Sequence, residues 1–337
     1  YDTPPSASET SLEAFEGEGG LHRPDSVLQE QLGNGDALHE MPVAALQYQI
    51  DMLPGSEQEF RFVFGPAVND DAISLLGDKY LRPGGFEKAR EEYRSYLEPA
   101  AGCIRISTPD RDLDNFVNQW LGRQMFYHGD VNRLSTDPQT RNYLQDAMGM
   151  VFVQPRVARE ALITALGQQE NGGAMPDGIL LHDEAELKYI NQVPHSDHCV
   201  WLPICMHTYL HETNDYSILD VRIKSIYDQS VKTTFERITE AMYHLLKSRD
   251  KRGLNFIAEG DWCDPMNMVG HKGRGVSAWL SIATAYALRT WAGICEEAGH
   301  NGLSKELGAG ADEISAAIQE YFWDGDWFAR GITDDDV

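Results

Sequence analysis

The chain has 337 residues, enough for one large domain or two ordinary ones with a substantial core. Its 42% hydrophobic content excludes a disordered acidic tail, and 28 Lys+Arg against 53 Asp+Glu leave a formal charge of −25. That sign is wrong for gripping a nucleic-acid backbone or an anionic membrane surface, and no apolar run approaches the roughly 20 residues of a spanning helix. The start, Tyr1-Asp2-Thr3-Pro4-Pro5, has neither the basic nor the apolar region of a signal peptide. Because it opens on Tyr, the chain is expected to have been trimmed or cut from something longer. Five cysteines, an odd number with no CxxC pair, predict reduced cytoplasmic thiols rather than a disulfide frame or a structural zinc site.

Residues 1–67 are rich in Gly, Pro, Ser and Glu and end in period-two segments. Leu46, Tyr48, Ile50 and Met52 interleave with Ala45, Gln47, Gln49 and Asp51, and Phe60, Phe62 and Phe64 alternate with charge after Pro54-Gly55. This predicts antiparallel strands at the tail of a larger β-sandwich. Residues 68–107, with a charged helix over Glu87–Leu97, predict a helical linker. From 108 to 337 the period is helical. Thr108-Pro109-Asp110 is a helix start, followed by Leu113, Phe116, Val117, Trp120 and Gln124. Further helices are predicted over Arg156–Gln169, Asp197–Glu212, Asp220–Lys247, Val276–Ala298 and Ser304–Phe322. The third of these, Asp220–Lys247, carries an apolar stripe of Val231, Phe235, Ile238, Met242 and Leu245. The fold class is therefore mainly α, and the paired helices suggest a toroid of helical hairpins.

The segment Glu259-Gly260-Asp261-Trp262-Cys263-Asp264-Pro265-Met266-Asn267 falls between two such helices. Clustered carboxyls beside an indole suit glycosidic-bond cleavage. One acid is kept protonated by low-dielectric contact and neighbouring charge, and the ring offers a flat face for a sugar. The plainer alternative is that Asp261 and Asp264 cap the next helix. Arg141-Asn142-Tyr143-Leu144-Gln145-Asp146 has forked donors and acceptors suited to sugar hydroxyls, though such pairs are commonly structural. The loop from Lys188 to His198, with Gln192 and His195, either lines a substrate rim or caps a helix through Asp197. His207 and His211 have metal-binding spacing, but Glu212 follows the second His instead of lying between them, so no metal is expected. Gly270-His271-Lys272-Gly273-Arg274-Gly275 has the donors of a phosphate cradle, or serves as a gating loop.

Together, Gly260-Asp261-Trp262-Cys263-Asp264-Pro265-Met266-Asn267 and Gly273-Arg274-Gly275-Val276-Ser277-Ala278-Trp279 resemble the GDWNDxxN…GxGxSxW signature of the inverting disaccharide phosphorylases. Arg141–Asp146 resembles that family's RDxxQD segment and Asp197–Leu202 its DDxLWL segment. Cys263, Asn142 and His198 depart from the common pattern. The departures look most like the branch acting on cellobionic acid, 4-O-β-D-glucosyl-D-gluconate, whose acidic acceptor suits fewer acids and more His and Lys.

The resemblance implies an (α/α)6 toroid, incomplete in this chain, preceded by the end of an antiparallel β-sandwich and a helical linker. It implies a hexosyltransferase, cytoplasmic and homodimeric, with no cofactor and inorganic phosphate as co-substrate. Asp264 would be the general acid, protonating the glycosidic oxygen while phosphate attacks C1. Arg141, Asp146 and Trp262 would hold the glucose, and Lys188, Gln192 and His195 would face the acceptor. Phosphate-binding residues are expected beyond residue 337, so this segment alone is expected to be inactive. The alternatives are an inverting hydrolase with Glu259 or Asp261 as base, a phosphorylase of cellobiose or a β-1,2-glucan, or a non-catalytic carbohydrate-binding module.

Overall fold

Alternating side chains fold Ala7–Ser11 (β1) against Pro42–Gln47 (β2) as an antiparallel pair, with a bulge between Glu9 and Ser11. Its carboxyl buried, Glu9 accepts backbone N–H bonds from Thr10, Ser11 and Gly35, which ties the 33–37 loop to the strand. The computed structural model describes residues 2–65, 67–98, 104–188, 195–264 and 266–336. It divides into two units, Tyr1–Tyr96 and Leu97–Val337. In the first unit a short helix, Leu12–Glu16 (α1), follows β1, and Asp70–Tyr80 (α2) begins at an Asn69 cap that accepts from the Ala72 N–H at 2.9 Å. Gly85–Leu97 (α3) contains the charged helix predicted over Glu87–Leu97.

The predicted strand at Phe60–Phe64 is not one. Alternation makes the backbone extended, but a strand also needs a hydrogen-bonded neighbour. Here the Asp2 N–H to Arg61 carbonyl bond at 3.1 Å is an isolated pairing, and Phe64 lies exposed. Tyr48 packs on Phe60 and Phe62 instead.

The second unit begins with Arg111–Asn115 (α4), capped by the Asp110 carboxylate rather than the Thr108 hydroxyl. It continues through a π-helical stretch, Phe116–Leu121, into Gly122–Gly129 (α5). Thr140–Val151 (α6) packs on α5, and Gly129 makes that approach possible: an added Cβ would lie 2.1 Å from Met150 Cγ. Pro155–Gly167 (α7) and Trp201–Thr213 (α8) pack on α6 and on each other. The apolar circumference of α8 is explained by this burial, with Leu202, Met206 and Leu210 all enclosed.

The predicted helix Asp220–Lys247 is only half helix. Arg222–Lys224 (β3) and Val231–Thr233 (β4) form an antiparallel hairpin, and Thr234–Lys247 (α9) begins behind it. A capping box decides the boundary: the Thr233 hydroxyl accepts from the Glu236 N–H at 3.1 Å, and Glu236 accepts from the Thr233 N–H at 2.7 Å. Val231 therefore leaves the apolar stripe, while Ile238, Met242 and Leu245 remain buried in it. Ala278–Glu297 (α10) and Asn301–Tyr321 (α11) pack as a helical hairpin, and Trp291 is fully enclosed with its indole N–H on Thr239 Oγ1 at 3.0 Å. Ahead of α10, Val276–Ser277 (β5) pairs with Gly331–Ile332 (β6). No helix among the described residues is long and apolar enough to cross a membrane.

Candidate active site

Arg141 sits in the first turn of α6 with its side chain buried. Its guanidinium donates to the Asp261 carbonyl at 2.8 Å and to Asp197 Oδ1 at 3.2 Å, and Nη2 donates to Asp264 Oδ1. A buried cation is tolerable only with such partners, so the 260–264 loop and the start of α8 are both held to α6.

Asp261 is also buried, but inward. Its carboxylate accepts from Ser277 Oγ at 2.5 Å, the Cys263 N–H at 2.9 Å and Arg330 Nη2 at 2.6 Å. Ser277, not Asp261 or Asp264, caps α10, accepting from the Leu280 N–H at 2.9 Å. Asp197 caps nothing either: its Oδ2 accepts from the Trp201 indole at 3.0 Å. With Asp261 anchored, Asp264 is left facing out, its side chain 65% exposed.

Asp264 borders a cavity of about 500 Å³ lined by Asn132, Arg133, Ser135, Asp137, Pro138, Gln139, Asn142, Lys188, His195 and Asn267. Its neighbours are thus the Arg141 guanidinium and the His195 imidazole, Nε2 lying 3.3 Å from Oδ1, in place of the carboxyl cluster expected from sequence. His195 is buried against Gly260, where an added Cβ would come 3.0 Å from its ring. Beyond it, Asp177 Oδ1 lies 3.5 Å from His195 Nδ1, accepts the His195 backbone N–H at 2.9 Å, and is 2.8 Å from His198 Nε2.

These three side chains form a cluster of metal-ligating type, in which His198 Nε2 and the His195 backbone N–H hydrogen-bond Asp177 Oδ1 while His195 Nδ1 stays beyond hydrogen-bonding geometry. Burial alone would raise the Asp177 carboxyl, but the bonds from His195 and His198 outweigh it and bring it down to about 2. Burial likewise opposes protonation of His195. The bond and charge of Asp177 prevail over it, and His195 titrates above its ordinary value.

Asp177, lowered from 3.8, stabilises the fold fully above that value and ceases to as pH falls through about 2. His195, raised from 6.5, stabilises it fully below 6.5, an effect lost as pH rises through its folded value. Asp177→Asn should therefore cost most between about pH 4 and 6.5, on the order of 2 kcal/mol. Urea unfolding at pH 3, 5.5 and 8.5 checks this, and a penalty independent of pH would contradict it.

Lys188 reaches the cavity with its Nζ 2.8 Å from Asp137 Oδ1, and its N–H donates to Oδ2 at 2.6 Å. Asp146 does not line the cavity. It holds Arg133 by two parallel bonds of 2.7 and 2.8 Å, and Arg133 is the residue that faces the opening. Asn132, Arg133 and Leu134 all have left-handed backbone, φ 49°, 55° and 58°, an arrangement held against its intrinsic cost by this pairing and the 129–135 turns. Trp262 is half exposed and stacks on Trp279 at 6.0 Å. Gln192 lies outside the described residues.

His207 and His211 stack ring on ring at 3.9 Å, and no third ligand-type side chain gathers with them among the described residues. The Gly270–Gly275 cradle does bind an anion, but one from its own chain: Asp334 accepts N–H bonds from Lys272 (2.7 Å), Arg274 (2.8 Å) and Gly275 (2.8 Å).

Sequence reasoning missed Asp177, Arg133 and Asp137. None belongs to a motif, and only the fold brings them to the loop carrying Asp264. It also missed α6, whose Leu144, Ala147 and Val151 spacing was a readable helical signal.

Comparison with known proteins places the chain in a family. A family model described as glycosyl hydrolase 94 superfamily, catalytic domain, matches residues 96–337, and one described as glycosyl hydrolase 94, supersandwich domain, matches residues 2–83. The chain belongs to the glycosyl hydrolase 94 superfamily. The helices from α4 onward are thus part of an (α/α)6 toroid, and β1–β2 part of a supersandwich.

Within the glycosyl hydrolase 94 superfamily, the chain is 56% identical over 336 residues to a cellobionic acid phosphorylase of Neurospora crassa, covering 100% of this chain and 42% of that protein. It is 31% identical to a 3-O-beta-D-glucopyranosyl-beta-D-glucuronide phosphorylase of Paenibacillus borealis, covering 99% and 43%. A solabiose phosphorylase of the same organism is 29% identical over 98% and 42%. The chain therefore spans less than half the length of these curated relatives.

Proposed function

We propose that the protein carries out inverting phosphorolysis of a β-glucosyl disaccharide, 4-O-β-D-glucosyl-D-gluconate, giving α-D-glucose 1-phosphate and D-gluconate. Asp264 gives its proton to the glycosidic oxygen as phosphate attacks C1 from the opposite face. Phosphate is already an anion, so no second carboxylate is required to activate it, whereas an inverting hydrolase needs one to activate water.

The observation that carries this reading is the state of the other carboxylates. Asp261 is buried under Ser277, Cys263 and Arg330, and Glu259 is exposed and absent from the cavity lining. Asp137, the other carboxylate on the described cavity wall, is buried and occupied by Lys188. Arg133, Lys188 and His195 place cationic or protonatable groups on the wall beside Asp137 and Asp264, although the chain as a whole is strongly acidic. That suits an acidic sugar acid, and two relatives are named for acidic substrates. We further propose a cytoplasmic homodimer with no cofactor.

The test is incubation of cellobionic acid with the native protein, with and without phosphate. Glucose 1-phosphate should form only with phosphate, and its α anomer identifies inversion. Release of free glucose independent of phosphate would favour the hydrolase reading.

A further inference from the structure

The sequence assigns His195 to the acceptor side, yet its ring stands with one nitrogen toward Asp264 and the other toward Asp177. His195 Nε2 is 3.3 Å from Asp264 Oδ1, and Nδ1 is 3.5 Å from Asp177 Oδ1. Among the described residues, the polar partners of the Asp264 carboxyl, His195 and Arg141, both fall on Oδ1, so Oδ2 is the oxygen that neither of them occupies. The imidazole is buried, and its orientation is secured by the backbone bond from its own N–H to Asp177 and by contact with Gly260. His198, where the phosphorylase pattern has a second Asp, binds the same Asp177 oxygen and stiffens it.

We propose that His195, held by Asp177, is a positioning residue for the general acid: it fixes Asp264 through Oδ1 and leaves Oδ2 to carry the transferred proton. This rests on the reading of Asp264 as the acid. In the forward step the Oδ2–H bond breaks and a bond from that hydrogen to the glycosidic oxygen forms. The electron pair of the broken C1–O bond stays on the departing oxygen, and phosphate oxygen bonds to C1. The charge left on Asp264 is then met at Oδ1 by the guanidinium of Arg141 and by the Nε2–H of protonated His195. Asp177 Oδ1, 3.5 Å from Nδ1, favours the tautomer with the proton on Nδ1 although no hydrogen bond closes there, so loss of the second His195 proton leaves an Nε2 lone pair facing Oδ1 in place of a donor. The charged groups facing His195 are Asp177, Asp197, His198, Arg141 and Asp264.

The experiment compares native wild-type protein with His195→Ala, His195→Gln and Asp177→Asn, measuring kcat and KM for cellobionic acid from pH 5 to 9 and confirming folding by Tm. Alanine should lower kcat roughly 10- to 100-fold with little change in KM, because a displaced acid costs turnover and not affinity. Glutamine, whose amide donates at every pH, should be less impaired. It should also shift the alkaline limb of kcat upward, and Asp177→Asn should shift that limb downward. An increase in KM for the disaccharide with kcat unchanged would overturn the proposal in favour of an acceptor-binding role. Equal losses in Ala and Gln with an unmoved alkaline limb would reduce His195 to a structural residue. Wild-type turnover that ignores phosphate would reject the functional reading alone, and the same comparison would then be made on the water-consuming cleavage.

Discussion

Asp264→Asn should abolish nearly all phosphorolysis while leaving the protein folded. Positioned proton transfer is worth roughly 100- to 10,000-fold, and an amide cannot supply the proton. The fold should be indifferent because the side chain is largely exposed and its Oδ1 can still accept from Arg141 as an amide oxygen. Arg141 also keeps Asp197 and the Asp261 carbonyl, so no buried cation is stranded. The measurements are glucose 1-phosphate release and Tm on the same preparation. Turnover within about tenfold of wild type would reject Asp264 as the acid, since that lies below what such a group contributes.

The largest stability effect should come from Asp261→Ala, three residues away. Its carboxylate is the common acceptor for Ser277 Oγ, the Cys263 N–H and Arg330, and truncation leaves all three without it. Breaking a buried pair from one side costs roughly 3–5 kcal/mol, and the partial exposure of Arg330 argues for the lower end, about 3 kcal/mol. In a unit of this size that corresponds to a Tm drop of roughly 6–12 °C. Asp261→Asn, which keeps the shape and one acceptor, should lose less. A Tm within about 1 °C of wild type for the alanine variant would mean that the network does not hold the loop, since even 1 kcal/mol shifts Tm by more than that. The pair of substitutions separates chemistry from scaffold within one tetrapeptide.

Legibility differed by kind of feature. The core-facing periods of α7 and α10 were visible because a helix buried on one face repeats its apolar residues every three or four positions. The Asp220–Lys247 helix was overextended because β-branched residues in the hairpin satisfied the same count. Only the capping box at Thr233 marks the break. Thr108 has the hydroxyl of a cap, but Asp110, two residues on, supplies the acceptor. Asp261 and Asp264 are indistinguishable in sequence, two carboxyls on one short loop, yet one is sealed beneath Ser277 and the other opens to a cavity.

From the amino-acid order alone follow the helical character of the larger unit, the strongly acidic charge balance, and the family to which the GDW-containing loop and its companion segments point. These are matters of composition, local period and contiguous pattern, which a chain carries whether or not it is folded. The tertiary structure alone decided that Arg141 is a buried tie between three segments, that Asp334 fills the cradle at 270–275, and that Asp177 stands behind His195. Each of these joins residues between 18 and 123 positions apart. An isolated charge cannot be buried without a partner, and nothing local to a sequence says which distant group the fold will bring to it.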